Sequence, residues 1–188
     1  ITPRHFRRGR DSVSNFLQAL GSGHRRAIGR PMKRCQSLPR QWLIADSRLG
    51  EHLWAAVRGL PSGSGVLFLY RDLPPGKRAR LRARLRHLAR ARGLVLVDEA
   101  TGGAARVHNI AEIRRARLAG ARILFLSPLF ETRSHPEWKP IPRLRAAALL
   151  RLAPLPTVAL GGMNEHRFKR TERLGFSGWA GIDAWIRT

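Results

Sequence analysis

The sequence predicts an α/β fold built on a parallel sheet, and two observations point to it. Short apolar runs without polar alternation recur along the chain from Gln41, which is typical of strands covered on both faces. Each run is followed by a segment with helical periodicity, and alternating strands and helices indicate parallel pairing. The apolar runs cover residues 42–45, 65–70, 94–97, 105–107, 123–126, 157–160 and 178–182.

The segments between the apolar runs carry the signals of helices. In the arginine-rich segment 77–93, three leucines at helical spacing form one apolar stripe, and a glycine follows it. Asn109 and Asn164 stand where helix caps are expected. The expected helices run through residues 53–57, 77–92, 110–118, 144–152 and 165–174.

Seven strands are one fewer than the eight that close a (β/α)8 barrel. The stretch between Asp98 and Ala105 accounts for the shortfall, because a crossover between parallel strands needs about a dozen residues. We therefore expect a TIM-type (β/α) barrel that is shortened by about one βα unit, with the missing or deformed unit between these two residues.

The charge of the chain suggests an anionic partner or heavily solvated surfaces. The chain carries 36 Lys and Arg against 12 Asp and Glu, a formal charge of +24, so nucleic acid and phosphorylated metabolites are both candidate partners. The arginines are spread over several segments. This distribution favours solvated faces over a dedicated nucleic-acid surface.

The cysteine content and the hydropathy of the chain exclude several classes of protein. The single cysteine, Cys35, excludes an intramolecular disulfide and a cysteine-cluster metal site. No apolar run approaches the roughly 18 residues that a membrane span needs. We therefore expect a soluble protein of the cytoplasm without a membrane partner.

Residues 1–31 differ in character from the rest of the chain. They contain seven arginines, one acid and little apolar periodicity. An arginine-bearing, acid-poor leader is also the composition of an organelle transit peptide. We expect a disordered basic extension, or an over-extended gene start, followed by a domain that covers residues 32–188.

Two loops that follow strands carry groups able to bind an anion. After the fifth run, a Ser-Pro pair leads into the hydrogen-bonding side chains of residues 131–135. After the sixth run, Gly161 and Gly162 precede a capped helix, so backbone amides could approach an anion there. A tight turn would use the same two glycines.

From about Trp42 to Trp185 the chain resembles the thiamine-phosphate synthases and the related thiazole tautomerases of the TenI branch, which share a (β/α)8 barrel. The resemblance is carried by LFLSPLFETRSHP, then TVALGGMN and a closing GWAGIDAW. It implies a site for a thiazole phosphate. The implied phosphate-binding and substrate-binding positions are Thr132, Ser134, His135, Gly161, Gly162, Ile182 and Asp183.

Three functions are compatible with the resemblance, and the first is the synthase reaction. That reaction couples hydroxymethylpyrimidine pyrophosphate with thiazole phosphate. In LYRDL, Arg71 would match the arginine that holds the pyrophosphate. In LVLVDEA, Asp98 would match a carboxylate that binds Mg²⁺. Arginine forks onto phosphate oxygens, and magnesium prefers oxygen ligands.

The second function is a thiazole tautomerase that needs no cofactor. The segment RVHNIAEI resembles the tautomerase segment whose histidine shuttles a proton, which makes His108 the implied catalytic residue. A histidine at a strand end suits carbon-acid proton transfer. It is equally compatible with a structural role beside a helix cap. The third function is a catalytically inactive barrel that binds anions or nucleic acid through its arginines.

Overall fold

The computed structural model describes residues 38–132 and 136–186. Within them, strands and helices alternate as the sequence predicts. The strands are β1 Gln41–Ala45, β2 Gly65–Phe68, β3 Val95–Asp98, β4 Ala104–Val107, β5 Ile123–Leu126, β6 Thr157–Leu160 and β7 Gly178–Gly181. The α-helices are α1 Leu53–Gly59, α2 Pro75–Ala91, α3 Ile110–Leu118, α4 Arg143–Leu152 and α5 Glu165–Thr171.

Four short 3-10 helices complete the described secondary structure. They follow the ends of β1, β3, α5 and β7. Their bounds are Ser47–His52, Glu99–Thr101, Glu172–Leu174 and Asp183–Trp185.

All seven strands lie in one sheet of order β3-β2-β1-β7-β6-β5-β4, and every described pair is parallel. The sheet curls into a nearly closed barrel with β3 and β4 as its two edges. This confirms the predicted TIM-type fold. It also confirms the predicted position of the shortfall, because only residues 99–103 connect β3 to β4.

The strand register has the stagger that a barrel requires. A row of partners runs from Val107, at the carboxyl end of β4, through β5, β6 and β7 to Gln41, at the amino end of β1. Across the gap, Glu99 lies just beyond β3 and bonds to Arg106 in β4. The stagger thus brings the end of β3 beside β4, which explains why five residues are enough to connect them.

Alternating side chains form an inner and an outer layer. The outer layer comprises two apolar clusters that pack under the helices, and Phe68 and Leu124 are examples from each. Buried apolar strand residues outside both clusters fill the barrel. Among these, the rings of Trp42 and Phe125 meet edge to face at 5.4 Å. Gly65 leaves room for the Trp42 ring, which a Cβ at that position would overlap.

The predictions for residues 1–31 and for the start of the domain at residue 32 lie outside the described residues. In the part of the chain that is described, no helix is both long enough and apolar enough to cross a membrane. The expected cytoplasmic location stays a prediction.

Candidate functional site

The candidate site lies at the carboxyl ends of the strands. Because the described strand pairs are all parallel, these ends share one rim. Alternation continued from the buried interior residues places several titratable side chains on the inner face at this rim, and four of them belong to β2, β3 and β4 or follow these strands. They are Arg71 after β2, Glu99 after β3, Arg106 in β4 and His108 after β4.

Arg71, Glu99 and Arg106 form one ion-paired cluster beside the gap between β3 and β4. Arg71 Nη2 lies 2.6 Å from Glu99 Oε2, and Arg106 Nε lies 3.3 Å from Glu99 Oε1. The backbone N–H of Arg106 donates to the same Oε1 at 3.0 Å. The Glu99 side chain is only 10% exposed, whereas that of Arg71 is 64% exposed. The carboxylate is therefore the fixed centre, and the Arg71 guanidinium faces solvent.

Asp98 points away from this cluster, toward α2. Its register partner on β2, Phe68, belongs to the outer layer. Arg78 Nη2 donates to Asp98 Oδ1 at 2.8 Å, as does the N–H of Ala100 at 2.9 Å. The other oxygen, Oδ2, forms an ion pair with Arg82 Nε at 3.0 Å. The Nε–H group does not point at Oδ2 closely enough to form a hydrogen bond. The side chain is 2% exposed, so it pins α2 to the end of β3.

These contacts do not fit a magnesium ion at Asp98. A cation there would either displace two guanidinium groups and break their ion pairs with Asp98, or sit beside them with like charges in contact. The neighbouring carboxylate, Glu99, is held by two further arginines. Among the described residues, no group of three or more His, Cys, Asp and Glu side chains is arranged to hold a metal. A magnesium role for Asp98 stays a prediction, and these ion pairs do not favour it.

His108 is oriented by a carboxylate one helical turn away. Its backbone N–H donates to Glu112 Oε2 at 2.7 Å, and its ring Nδ1 lies 2.8 Å from the same oxygen. An ionised carboxylate only accepts, so Nδ1 carries the hydrogen and the neutral ring keeps Nε2 as its acceptor. The ring also meets Trp138 edge to face, with centroids 5.2 Å apart. A histidine that acts as a general base is oriented by a contact of this kind.

Glu112 is itself held by the start of α3. Asn109 caps the helix through its side-chain oxygen, which accepts from the N–H of Glu112 at 3.0 Å, and its amide donates to Glu112 Oε1 at 2.8 Å. Burial acts to raise the pKa of Glu112. The hydrogen bonds and charge of His108 outweigh it, and the pKa is lowered below its ordinary value.

The β5 and β6 loops, where a phosphate site is predicted, run side by side, and phosphate binding there stays a prediction. Gly161 and Gly162 have φ of +92° and +59°. A Cβ on Gly161 would lie 2.7 Å from the Cα of Pro128, and one on Gly162 would overlap the carbonyl of Glu131. Both glycines are therefore needed for the close approach of the two loops. Thr132 follows Glu131 directly.

The remaining predicted positions divide into two sets. Ser134 and His135 lie outside the described residues. Ile182 is half-buried against the outer layer, and Asp183 is exposed at the start of the last 3-10 helix. The seven-residue α5 is too short for a helix dipole to contribute much at the two glycines.

Sequence reasoning missed Arg106, Arg78, Arg82 and Glu112. For two of them, the sequence contains a pattern that could have identified the residue. Glu112 stands at the third helical position after the cap Asn109, which is the capping-box pattern. Arg106 is the charged residue within an otherwise apolar β4, and alternation would have placed it on the inner face.

A comparison with protein families supports the resemblance in the sequence. The model described as thiamine monophosphate synthase (TMP-TENI) matches residues 87–185, more than half of the chain. Putative thiamine-phosphate synthase 2 of Aquifex aeolicus (strain VF5) is 33% identical over 79 residues. That match covers 42% of this chain and 42% of the Aquifex protein, so the alignment spans less than half of the relative.

One solved structure supports the fold. Thiamine phosphate pyrophosphorylase from Pyrococcus furiosus has a TM-score of 0.65 at 18% identity, over 80% of this chain and 89% of that chain. The pyrophosphorylase from Bacteroides thetaiotaomicron has a TM-score of 0.47 at 14% identity, over 78% of this chain and 83% of that one. By the match of the family model over most of the barrel, this chain belongs to the thiamine monophosphate synthase family.

Proposed function

We propose that this chain couples a pyrimidine diphosphate to a thiazole phosphate, the reaction implied by its resemblance to the thiamine-phosphate synthases. The observation that supports the proposal is that two separate regions on one rim carry groups able to bind an anion. The Arg71, Glu99 and Arg106 cluster stands at β2 to β4. The paired loops with Thr132 and Gly162 stand at β5 and β6. A reaction that joins two phosphorylated substrates needs one region for each.

The chemistry needs positioning and charge stabilisation more than a nucleophile from the protein. The thiazole nitrogen attacks the methylene carbon of the pyrimidine, the new C–N bond forms, and the C–O bond to diphosphate breaks. Both electrons of the broken bond leave on the diphosphate. Arg71 and Arg106 meet the charge that develops on it. The β5 and β6 loops hold the thiazole phosphate through Thr132 and the backbone of the two glycines.

Arg71→Gln tests the coupling function. Incubation of the purified chain with both substrates should yield thiamine phosphate, detected chromatographically. The substitution should lower kcat/KM by about 10-fold to 100-fold, because one charge-assisted pair with diphosphate is lost. Arg86→Gln, an exposed arginine of α2, is the matched control. No product at high enzyme concentration, with or without Mg²⁺, would reject the function.

The His108 and Glu112 pair favours a second candidate, the proton transfer of a thiazole tautomerase. Nε2 would take a proton from ring carbon and return it at another position, while Glu112 fixes the ring. His108→Gln should abolish isomerisation of the thiazole phosphate. Glu112→Gln should lower kcat and displace its pH profile while leaving KM nearly unchanged. An unchanged profile in Glu112→Gln would show that the carboxylate only caps α3.

A further inference from the structure

We propose that this chain binds the diphosphate of its substrate through Arg71 and Arg106, held in place by Glu99, without a divalent cation. The identity of the anion rests on the proposed coupling function. The mode of binding rests on the arrangement of charges at the ends of β2, β3 and β4.

The two carboxylates at the end of β3 are each shared between arginines. Asp98 lies between Arg78 and Arg82 on the outer face. Glu99 lies between Arg71 and Arg106 on the inner face. Four guanidinium groups thus surround two carboxylates, which leaves an excess of positive charge. Such surroundings attract an anion and oppose a bare divalent cation.

Glu99 positions both inner arginines but contacts only some of their guanidinium N–H groups. Its contact with Arg71 uses only Nη2 of that guanidinium, and its contacts with the Arg106 side chain use Nε and Nη2. No other side-chain hydrogen bond from these two arginines occurs among the described residues. The remaining N–H groups of a planar guanidinium can bind two phosphate oxygens at once.

Arg106 is the new residue of this site. It comes from β4, on the far side of the gap, whereas Arg71 and Glu99 follow β2 and β3. The short link between β3 and β4 brings the Arg106 guanidinium to Glu99. The deformation of the barrel therefore supplies a second cation where the resemblance would expect a metal.

Calorimetric titration with inorganic diphosphate tests the proposal. We expect binding in the presence of a chelator, and we expect that added Mg²⁺ does not strengthen it. Arg106→Gln should weaken binding by about ten-fold or more, the loss of one charge-assisted bidentate pair. Arg106→Lys should weaken it less, because the charge remains and only the fork is lost. Arg86→Gln serves as the control for a lost surface charge.

Two results would overturn the proposal. One is diphosphate binding that appears only with Mg²⁺. The other is an affinity of Arg106→Gln and Arg106→Lys equal to that of Arg86→Gln, with circular dichroism showing all three folded. Failure of the coupling function is distinct, since it would appear as absent thiamine phosphate while diphosphate still binds in chelator.

Discussion

Tyr70 shows how a single side chain ties the rim to the core. It follows β2, is buried in the outer layer, and its carbonyl accepts from Arg78 Nε at 2.9 Å. Burial raises the pKa of its phenol to about 12, and the nearby carboxylates of Asp46 and Asp72 act in the same direction. The phenol is therefore neutral at every physiological pH.

The raised pKa of Tyr70 predicts an alkaline loss of stability. The folded state disfavours tyrosinate, so the contribution is fully present below the unfolded pKa near 10 and is lost as pH rises toward the folded value of about 12. At a pH of about 11 the loss amounts to about 1 kcal/mol. Tyr70→Phe should remove this part of the pH dependence in denaturant titrations.

A direct reading of the Tyr70 pKa is available because the chain has one tyrosine. The ultraviolet absorbance of tyrosinate in the native protein reports that residue alone. Titration near the ordinary value of 10 would contradict the prediction and would mean that water reaches the phenol.

At the residue scale the sequence predicted the site in part. Arg71 and His108 could be named from the family resemblance, and each also stands just beyond an apolar run, at the rim where parallel strands end. Their partners could not all be named. Which of the adjacent Asp98 and Glu99 faces the interior depends on the strand register, and a one-residue difference exchanges the inner and outer faces.

At the scale of elements, the junction of β3 and α2 depends on the buried Asp98. One carboxylate there meets Arg78 from the first turn of α2 and Arg82 one turn later. Arg78 also lies over the ring of Phe68, with its guanidinium carbon 5.0 Å from the centroid. The helix is thus fixed in position by charge as well as by its leucine stripe.

Asp98→Asn should destabilise the fold by about 3 kcal/mol, because two partly buried guanidinium groups lose their counter-charge. Equilibrium unfolding in urea at neutral pH measures the change. The exposed Asp72→Asn is the matched control and should cost little. If the two variants unfold at the same urea concentration, the buried ion pairs contribute nothing net to stability.

The edge of β4 is protected by side chains instead of a neighbouring strand. Val107 bonds to β5 through its carbonyl, so the N–H groups of Arg106 and His108 turn toward the gap. The carboxylates of Glu99 and Glu112 accept from these two donors at 3.0 and 2.7 Å. Unpaired donors on an edge strand would otherwise invite pairing with another chain.

Removal of both carboxylates should therefore promote association. The double variant Glu99→Ala with Glu112→Ala leaves two edge donors without acceptors, and sedimentation velocity over a range of concentrations should reveal oligomers. The double variant Glu51→Ala with Glu172→Ala removes the same charge from exposed positions. Equal sedimentation of both variants would show that the edge is protected by other means.

At the scale of the whole molecule, the strand count and the position of the gap could be predicted from the sequence. Apolar runs of strand length and a link too short for a crossover were enough. The closeness of the two edges could not be predicted, because it arises from the accumulated stagger of all seven strands. Arg106 reaches Glu99 only as a result of that stagger. The composition of the cluster is therefore a property of the barrel and not of any one segment.

The gap also divides the barrel into two arcs, β1 to β3 and β4 to β7, which share a single ladder between β1 and β7. No strand pairing crosses residues 99–103. A backbone cut between Gly102 and Gly103 would break no ladder, so this link is a natural place for new chain ends in a circular permutant or for splitting the protein into two complementing fragments.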